Sequence, residues 1–285
     1  MGADDTRAVG ADDTRAGTVP PGGPPPAASG APLPATLGAA AQVFVQDLDA
    51  PEVAPGDGHH LLQVLRLRPG EIVVASDGRG RWRPCVLAGA AAGDRSVAVL
   101  EADGPVVATA RPAPEVTVAF VPVKGERPEW AVQKLTEAGV DRIVVLRSAR
   151  SVVRWEGDRA ARAVDRLRRV AHEAAAQSRR AWLPEVDGVV SLDELGSLLA
   201  PVPLALAHPG GDPPSMRAPA VAVGPEGGWE ASETAAGRPL VGLGPGVLRA
   251  ETATVAVGLL LCALRQGLVG PSGGSPPGGP GAPDT

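Results

Sequence analysis

Apolar and polar positions alternate in two different rhythms along this chain. From about Ala39 to Ala110 the apolar runs are short and broken by turns: QVFVQDL, EIVVASDG, RWRPCVLAG and SVAVLEA. Runs of strand length, with Asp77-Gly78 and Gly80 between two of them, predict a small antiparallel barrel. Ahead of EIVVASDG, the segment His59 to Glu71 carries His60, Val64 and Leu67 at helical spacing, and Pro69-Gly70 stops that element.

After Pro112 to Pro114, which reads as a linker, the rhythm changes. Val116 to Val121 is a buried-strand run, and Arg127 to Ala138 is a helix with Pro128 in its first turn and Gly139 at its end. The pattern then predicts a strand at Arg142 to Leu146, a long Arg-rich helix at Asp158 to Arg180, and a strand at Leu204 to Ala207. Further strands at Ala220 to Val223 and Leu240 to Leu243 precede a last helix at Thr252 to Leu264. Strands alternating with helices predict an α/β domain with a mostly parallel sheet covered on both faces. The expected division is a leader over 1–36, a barrel domain over 37–111, an α/β domain over 112–267 and a tail over 268–285. The leader holds a tandem repeat, GADDTRAV then GADDTRAG, and both ends are rich in Pro, Gly and Ala, a composition expected to stay disordered.

Composition narrows the function classes. At 285 residues and 44% apolar content there is material for about two domains, with Ala, Val and Leu doing the packing because Tyr is absent and Phe and Trp are few. No apolar run reaches the roughly 18 residues a membrane span needs, and the start lacks the layout of a signal peptide, so a cytoplasmic protein is expected. Cys85 and Cys262 fit neither a disulfide framework nor a zinc site, and His59 and His60 have no partner at metal-ligand spacing, so no metal is expected. The net charge of −5 hides two basic segments. Asp141 to Arg180 holds eleven Arg against five acidic residues, and His59 to Arg83 holds five Arg against Glu71 and Asp77. Such segments suit contact with nucleic-acid phosphates, or a solvated face laced with ion pairs.

The candidate chemistry lies near the C-terminus. Two apolar strands stop at glycine: Ala220 to Val223 runs into Gly224-Pro225-Glu226-Gly227-Gly228, and Leu240 to Leu243 runs into Gly244-Pro245-Gly246. Glycine loops between strand and helix let backbone approach a nucleotide-like ligand, though they also serve as plain tight turns. Neither loop has the spacing of a phosphate-binding or dinucleotide-binding fingerprint.

The runs GPEGGWEASE and LGPGVLRAETA resemble the signature of the RsmE-type 16S ribosomal RNA methyltransferases of the knotted SPOUT superfamily. The resemblance spans about Val43 to Leu264 and includes PVKGERPEWAVQKLTEAGVDRIVVL, RSVVRW, RLRRVAHEAAAQSRR and LALAHP. HHLLQVLRLRPGE and DGRGRW are similar to that family's PUA-like RNA-binding domain. Three positions depart from the family pattern: Gly246 stands where an Arg is usual, Ala138 where a Leu is usual, and Ala176 where a Glu is usual.

The resemblance implies a trefoil-knot fold, S-adenosylmethionine as methyl donor, 16S rRNA of the small ribosomal subunit as partner, uridine N3 as acceptor, and a homodimer. It places the donor against Leu206, His208 and Pro209, against Gly224, Pro225, Glu226, Gly227 and Gly228, and against Leu243, Gly244 and Leu248. Glu226 would accept from ribose hydroxyls or cap the next helix. In the E-T-A motif, Arg249, Glu251 and Thr252 are the catalytic candidates. Arg249 would stabilise the uracil anion, or else form a structural pair with Glu251. RNA contacts are expected at Arg66, Arg68, Lys124, Arg127, Arg150, Arg154, Gln177, Ser178 and Arg180, with Arg147 also suited to phosphates and Trp229 as a stacking surface. Two other readings remain: a related enzyme acting on another RNA, and an RNA-binding assembly factor without catalysis.

Overall fold

The computed structural model describes residues 34–91, 94–125, 127–234 and 237–270. Most of the expected leader, including its repeat, and most of the expected tail lie outside the described residues; the leader's last three residues enter a 3-10 turn, Pro34–Leu37.

The N-terminal domain is a five-stranded sheet. Strand β1 (Ala41–Phe44) is followed by a short helix α1 (Pro55–His59) that runs into a π-helical turn, His60–Val64. Then come β2 (Ile72–Ser76), β3 (Arg81–Ala91), β4 (Asp94–Ala102) and the short β5 (Val107–Ala108). The β2–β3, β3–β4 and β3–β5 pairs are antiparallel as expected, but β1 joins β2 in parallel, from Ala41 beside Val73 to Phe44 beside Ser76. The physical reason is the connection: a hairpin turn reverses the chain, whereas the α1 crossover brings it back in the same direction. The π turn also shifts the packed face. The Leu65 amide reaches back to the His60 carbonyl, one residue beyond an α-helical bond. Leu61 is therefore the residue buried against Val43, Val73, Cys85 and Leu87, while Val64 is exposed.

The second domain is α/β. Its strands are β6 (Thr117–Phe120), β7 (Arg142–Leu146), β8 (Glu185–Val190), β9 (Leu204–Asp212), β10 (Ala220–Val223) and β11 (Leu240–Val241). Its helices are α2 (Arg127–Ala138), α3 (Gly157–Gln177), α4 (Leu192–Leu199), α5 (Ala231–Thr234) and α6 (Ala250–Arg265). The strand order is β11-β9-β10-β6-β7-β8 and every pairing is parallel. Alternation along β6 shows the layering: Val118 and Phe120 join Leu135, Leu167, Val257 and Leu261, while Ala119 joins Leu146, Leu195 and Leu206. In α6, a Cβ on Gly258 would run into Leu135, so the glycine lets α6 settle closely on α2.

The amino ends of β6 and β7 meet at Asp141, which is 3% exposed. Its Oδ2 accepts the Val116 amide at 2.9 Å and a charged hydrogen bond from Arg265, and its Oδ1 lies 3.7 Å from Arg180. Arg265 also donates to the Pro114 and Gly139 carbonyls, and Arg180 to those of Thr136 and Val140. Burial lowers the Arg180 pKa, opposed by Asp141, and burial pushes the neighbouring Cys262 thiol up to about 11, so it stays protonated near neutral pH.

The end of α3 is where the two domains touch. Gln42 donates to the Arg180 carbonyl at 2.8 Å, Arg179 donates to the Ala40 carbonyl at 3.0 Å, and Phe44 packs on His172 with ring centroids 4.7 Å apart. A side chain at Gly80 would strike the Trp182 ring, so the Gly78–Gly80 turn serves as a docking surface as well as a hairpin. The Asp141 cluster is the site most sensitive to truncation. Asp141→Ala leaves two buried guanidinium groups short of their carboxylate and is expected to cost about 3–5 kcal/mol. Urea denaturation checks this; a loss below about 1 kcal/mol would contradict it.

Candidate active site

The site forms at the carboxyl ends of β9, β10 and β11. Strand β9 pairs with β11 at Leu206 beside Leu240 and again at Asp212 beside Val241, so Ala207 to Gly211 bulge out of the ladder between the two. Two glycines make that geometry possible. A Cβ on Gly211 would sit 2.6 Å from the backbone of Leu240 and Val241, and one on Gly242 would fall on the Gly211 carbonyl. Backbone lies directly on backbone here, locked by the Gly242 amide donating to the Asp212 carbonyl at 2.9 Å.

A cavity of about 380 Å³ opens beside this crossing. His208 and Pro209 of the bulge, Gly224 to Gly228 after β10, and Leu243, Gly244 and Leu248 after β11 all line it. Of the residues expected at a donor site, Leu206 is the exception: its side chain is fully buried in the opposite core with Leu195 and Ala222. Alternation explains this, since a residue one step before the bulge faces the other side of the sheet. Ala250 and Ala253 of α6 also line it without having stood out in the sequence.

Trp229 joins two of the three loops. Its ring lies where a Cβ on Gly224 would come within 2.9 Å, and its indole N–H donates to the Ala207 carbonyl at 3.1 Å. With 8% exposure it is a wall of the cavity and not a free stacking surface. Between Leu243 and Arg249 no backbone N–H donates to any group among the described residues, and no side chain caps α6. The loop therefore offers donors to a ligand.

The charged rim differs from the expected pairing. Glu251 does not pair with Arg249. Arg127 instead lies 3.5 Å from Glu251 and 3.9 Å from Glu226, linking the start of α2 to the first turn of α6 and to the loop after β10. Glu226 caps no helix; the carboxylate at the start of α5 is Glu233, which accepts the Glu230 amide at 2.8 Å. Arg249 is exposed and makes no ion pair among the described residues. Thr252 is exposed on the first turn of α6, while Thr254 is buried and bonds the Ala250 carbonyl.

The residues expected to face RNA divide into three groups. Arg66, Arg68, Lys124, Arg154 and Gln177 are exposed, with Arg66 in the left-handed region at φ 55°. Arg150 grips the cavity loop, donating to the Gly227 carbonyl at 2.8 Å with Glu230 nearby. Arg180 and Ser178 are turned inward: Arg180 serves Asp141, and Ser178 closes α3 by bonding the Ala174 carbonyl. Their place in a basic sequence run carries no sign that this helix end docks on the N-terminal sheet.

The sequence matches the family model of an RNA methyltransferase domain over residues 110–261 and that of an RNA methyltransferase PUA domain over residues 54–100. The chain is 38% identical over 235 residues to the ribosomal RNA small subunit methyltransferase E of Mycobacterium bovis, covering 75% of this chain and 88% of that protein. The chain belongs to this RNA methyltransferase family. The Bacillus subtilis member is 29% identical, covering 68% of this chain and 82% of that protein. Among solved structures, the Neisseria gonorrhoeae member bound to S-adenosylmethionine has a TM-score of 0.65 at 28% identity, covering 79% of this chain and 97% of that one. A Legionella pneumophila methyltransferase, also with bound S-adenosylmethionine, has a TM-score of 0.66 at 26% identity, covering 78% and 96%. The fold is thus a SPOUT-type α/β domain preceded by a PUA-like domain.

The glycine crossing carries a direct test. Gly242→Ala is expected to destabilise the chain by about 1–3 kcal/mol through forced backbone separation. Gly246→Ala, where an added Cβ meets nothing within 4 Å, is expected to stay within about 0.5 kcal/mol of the parent. Thermal unfolding of the two variants measures the contrast; equal midpoints would refute the tight crossing.

Proposed function

We propose that this RNA methyltransferase transfers the methyl group of S-adenosylmethionine to N3 of a uridine in 16S rRNA. The observation that carries the reading is the cavity bounded by the β9 bulge and two glycine loops, with unpaired backbone amides and an unpaired Arg249 beside it. The donor fits these walls: Ala207, Val223 and Leu243 supply apolar surface, the amides of Leu243, Gly244 and Gly246 to Arg249 supply hydrogen bonds, and glycine keeps side chains out of the way. When bound, the donor supplies an electrophilic methyl on a sulfonium.

Methylation at N3 would require the uridine to lose its N3 proton to solvent, leaving negative charge shared with the flanking uracil oxygens. Arg249 is placed at the N-terminal cap of α6, where its guanidinium would balance charge developing on a uracil oxygen. Glu226 is the group suited to the donor's ribose hydroxyls, and Arg127 holds Glu226 and Glu251 in position through opposite charge. Exposed Arg66, Arg68, Lys124 and Arg154 would contact phosphates. A cytoplasmic location follows from a ribosomal substrate.

We also propose a homodimer through α6. Its outer face leaves Leu259 and Leu260 exposed, and Val247 and Leu248 lie bare just before it. Light scattering at micromolar concentration is expected to give twice the chain mass; a fully active monomer would contradict it.

The second reading, an assembly factor without catalysis, rests on Gly246. An added Cβ there meets nothing within 4 Å, so Gly246→Arg is expected to fold normally and to leave activity equal or higher. The deciding experiment incubates the full chain with undermethylated small ribosomal subunits and labelled S-adenosylmethionine, followed by nucleoside mass spectrometry. N3-methyluridine is the expected product. Label on another base or on a ribose would redirect the specificity, and no label in either the parent or Gly246→Arg would favour the assembly factor.

A further inference from the structure

A second and larger cavity, about 430 Å³, lies at the carboxyl ends of β7 and β8, outside the cavity described above. It is walled on one side by the loop from Arg147 to Trp155 and on another by the start of α4. The same loop backs the donor cavity, because Arg150 holds the Gly227 carbonyl at 2.8 Å and the Ala149 amide donates to Glu233 at 3.3 Å.

Its chemistry is close to neutral. Three arginines and three carboxylates line it, and two of the arginines are already satisfied: Arg238 by Asp193 at 2.7 Å, and Arg147 by Glu194 at 3.5 Å. Arg154, on the exposed rim, makes no ion pair among the described residues. Inside, Ser148 is only 7% exposed, and its Oγ has no hydrogen-bond partner among the described residues. A shielded hydroxyl of this kind carries a desolvation cost unless something bonds it. Trp155, Val153 and Leu192 add apolar wall.

We propose that this cavity is a nucleotide subsite, holding an unpaired nucleotide of the RNA that flanks the methylated uridine. A neutral, hydroxyl-bearing cavity with apolar walls suits a base, whose edges carry donors and acceptors without net charge. Its volume is of the size that encloses a small ligand. The free guanidinium of Arg154 at the rim suits that nucleotide's phosphate. Splaying one neighbour into this cavity while the target enters the other would hold the strand across the shared loop. The proposal rests on the RNA methyltransferase reading but not on which atom is methylated.

The test uses the full chain with saturating S-adenosylmethionine, so that the donor cavity is filled. Uridine 5′-monophosphate is titrated against intrinsic tryptophan fluorescence for the parent, Ser148→Ala and Arg154→Gln. The parent is expected to give a saturable change, weakened about tenfold in each variant. The KM for small-subunit RNA is expected to rise about tenfold while donor affinity and kcat change less than about threefold. Equal titrations and equal KM in parent and variants would overturn the subsite even if methylation proceeds normally. Lost donor affinity in either variant would also overturn it, by making the loop a prop for the donor cavity alone. If the titration behaves as expected but the product is not N3-methyluridine, the subsite stands and the assignment of the acceptor atom falls.

Discussion

Everything at the functional end of this molecule hangs on backbone packed against backbone at Gly211 and Gly242. The parallel ladder between β9 and β11 is interrupted there, and the displaced residues Ala207, His208 and Pro209 become one wall of the smaller cavity. No side chain is tolerated at either glycine, because each Cβ direction is filled by the other strand's backbone. Trp229 then ties the bulge to the Gly224 loop through its ring and its indole N–H. Main chain and one buried aromatic therefore fix two walls of the cavity.

The opposite end of the sheet is held by charge. Asp141 collects Arg265 from the last helix, Arg180 from the end of α3 and the Val116 amide at the start of the sheet. A buried carboxylate alone would be costly, but here it is bonded from several directions, and the two arginines spend their remaining donors on carbonyls. This cluster also fixes the segment that docks on the PUA-like domain through Gln42, Ala40 and Trp182. The basic sequence run from Asp141 to Arg180 is thus partly architectural, and only part of it is left to meet RNA.

Much of this was legible from the chain alone, for identifiable reasons. Strands such as Ala220–Val223 and Arg142–Leu146 are continuous apolar runs, and α2 begins with Pro128 and ends before Gly139, so burial and local signals agree. β8 is not legible in the sequence because Asp187 and Gly188 break its apolar pattern on a half-buried edge. α4 carries one local signal, the capping box of Ser191 and Glu194, on a helix of only eight residues. The parallel entry of β1 depends on a crossover, and the inward turn of Arg180 on a tertiary partner distant in sequence. The same holds for Arg127 between Glu226 and Glu251. Spacing within one segment carries no information about such partners.

The central claim is that the methyl donor occupies the smaller cavity at the glycine crossing and not the larger one between β7 and β8. Hydrogen exchange of the full chain with and without S-adenosylmethionine tests it most directly. Protection is expected over residues 207–211, 224–229 and 242–250, with little change at 191–193. Protection confined to 147–156 and 191–193, leaving the glycine loops as mobile as before, would contradict the account.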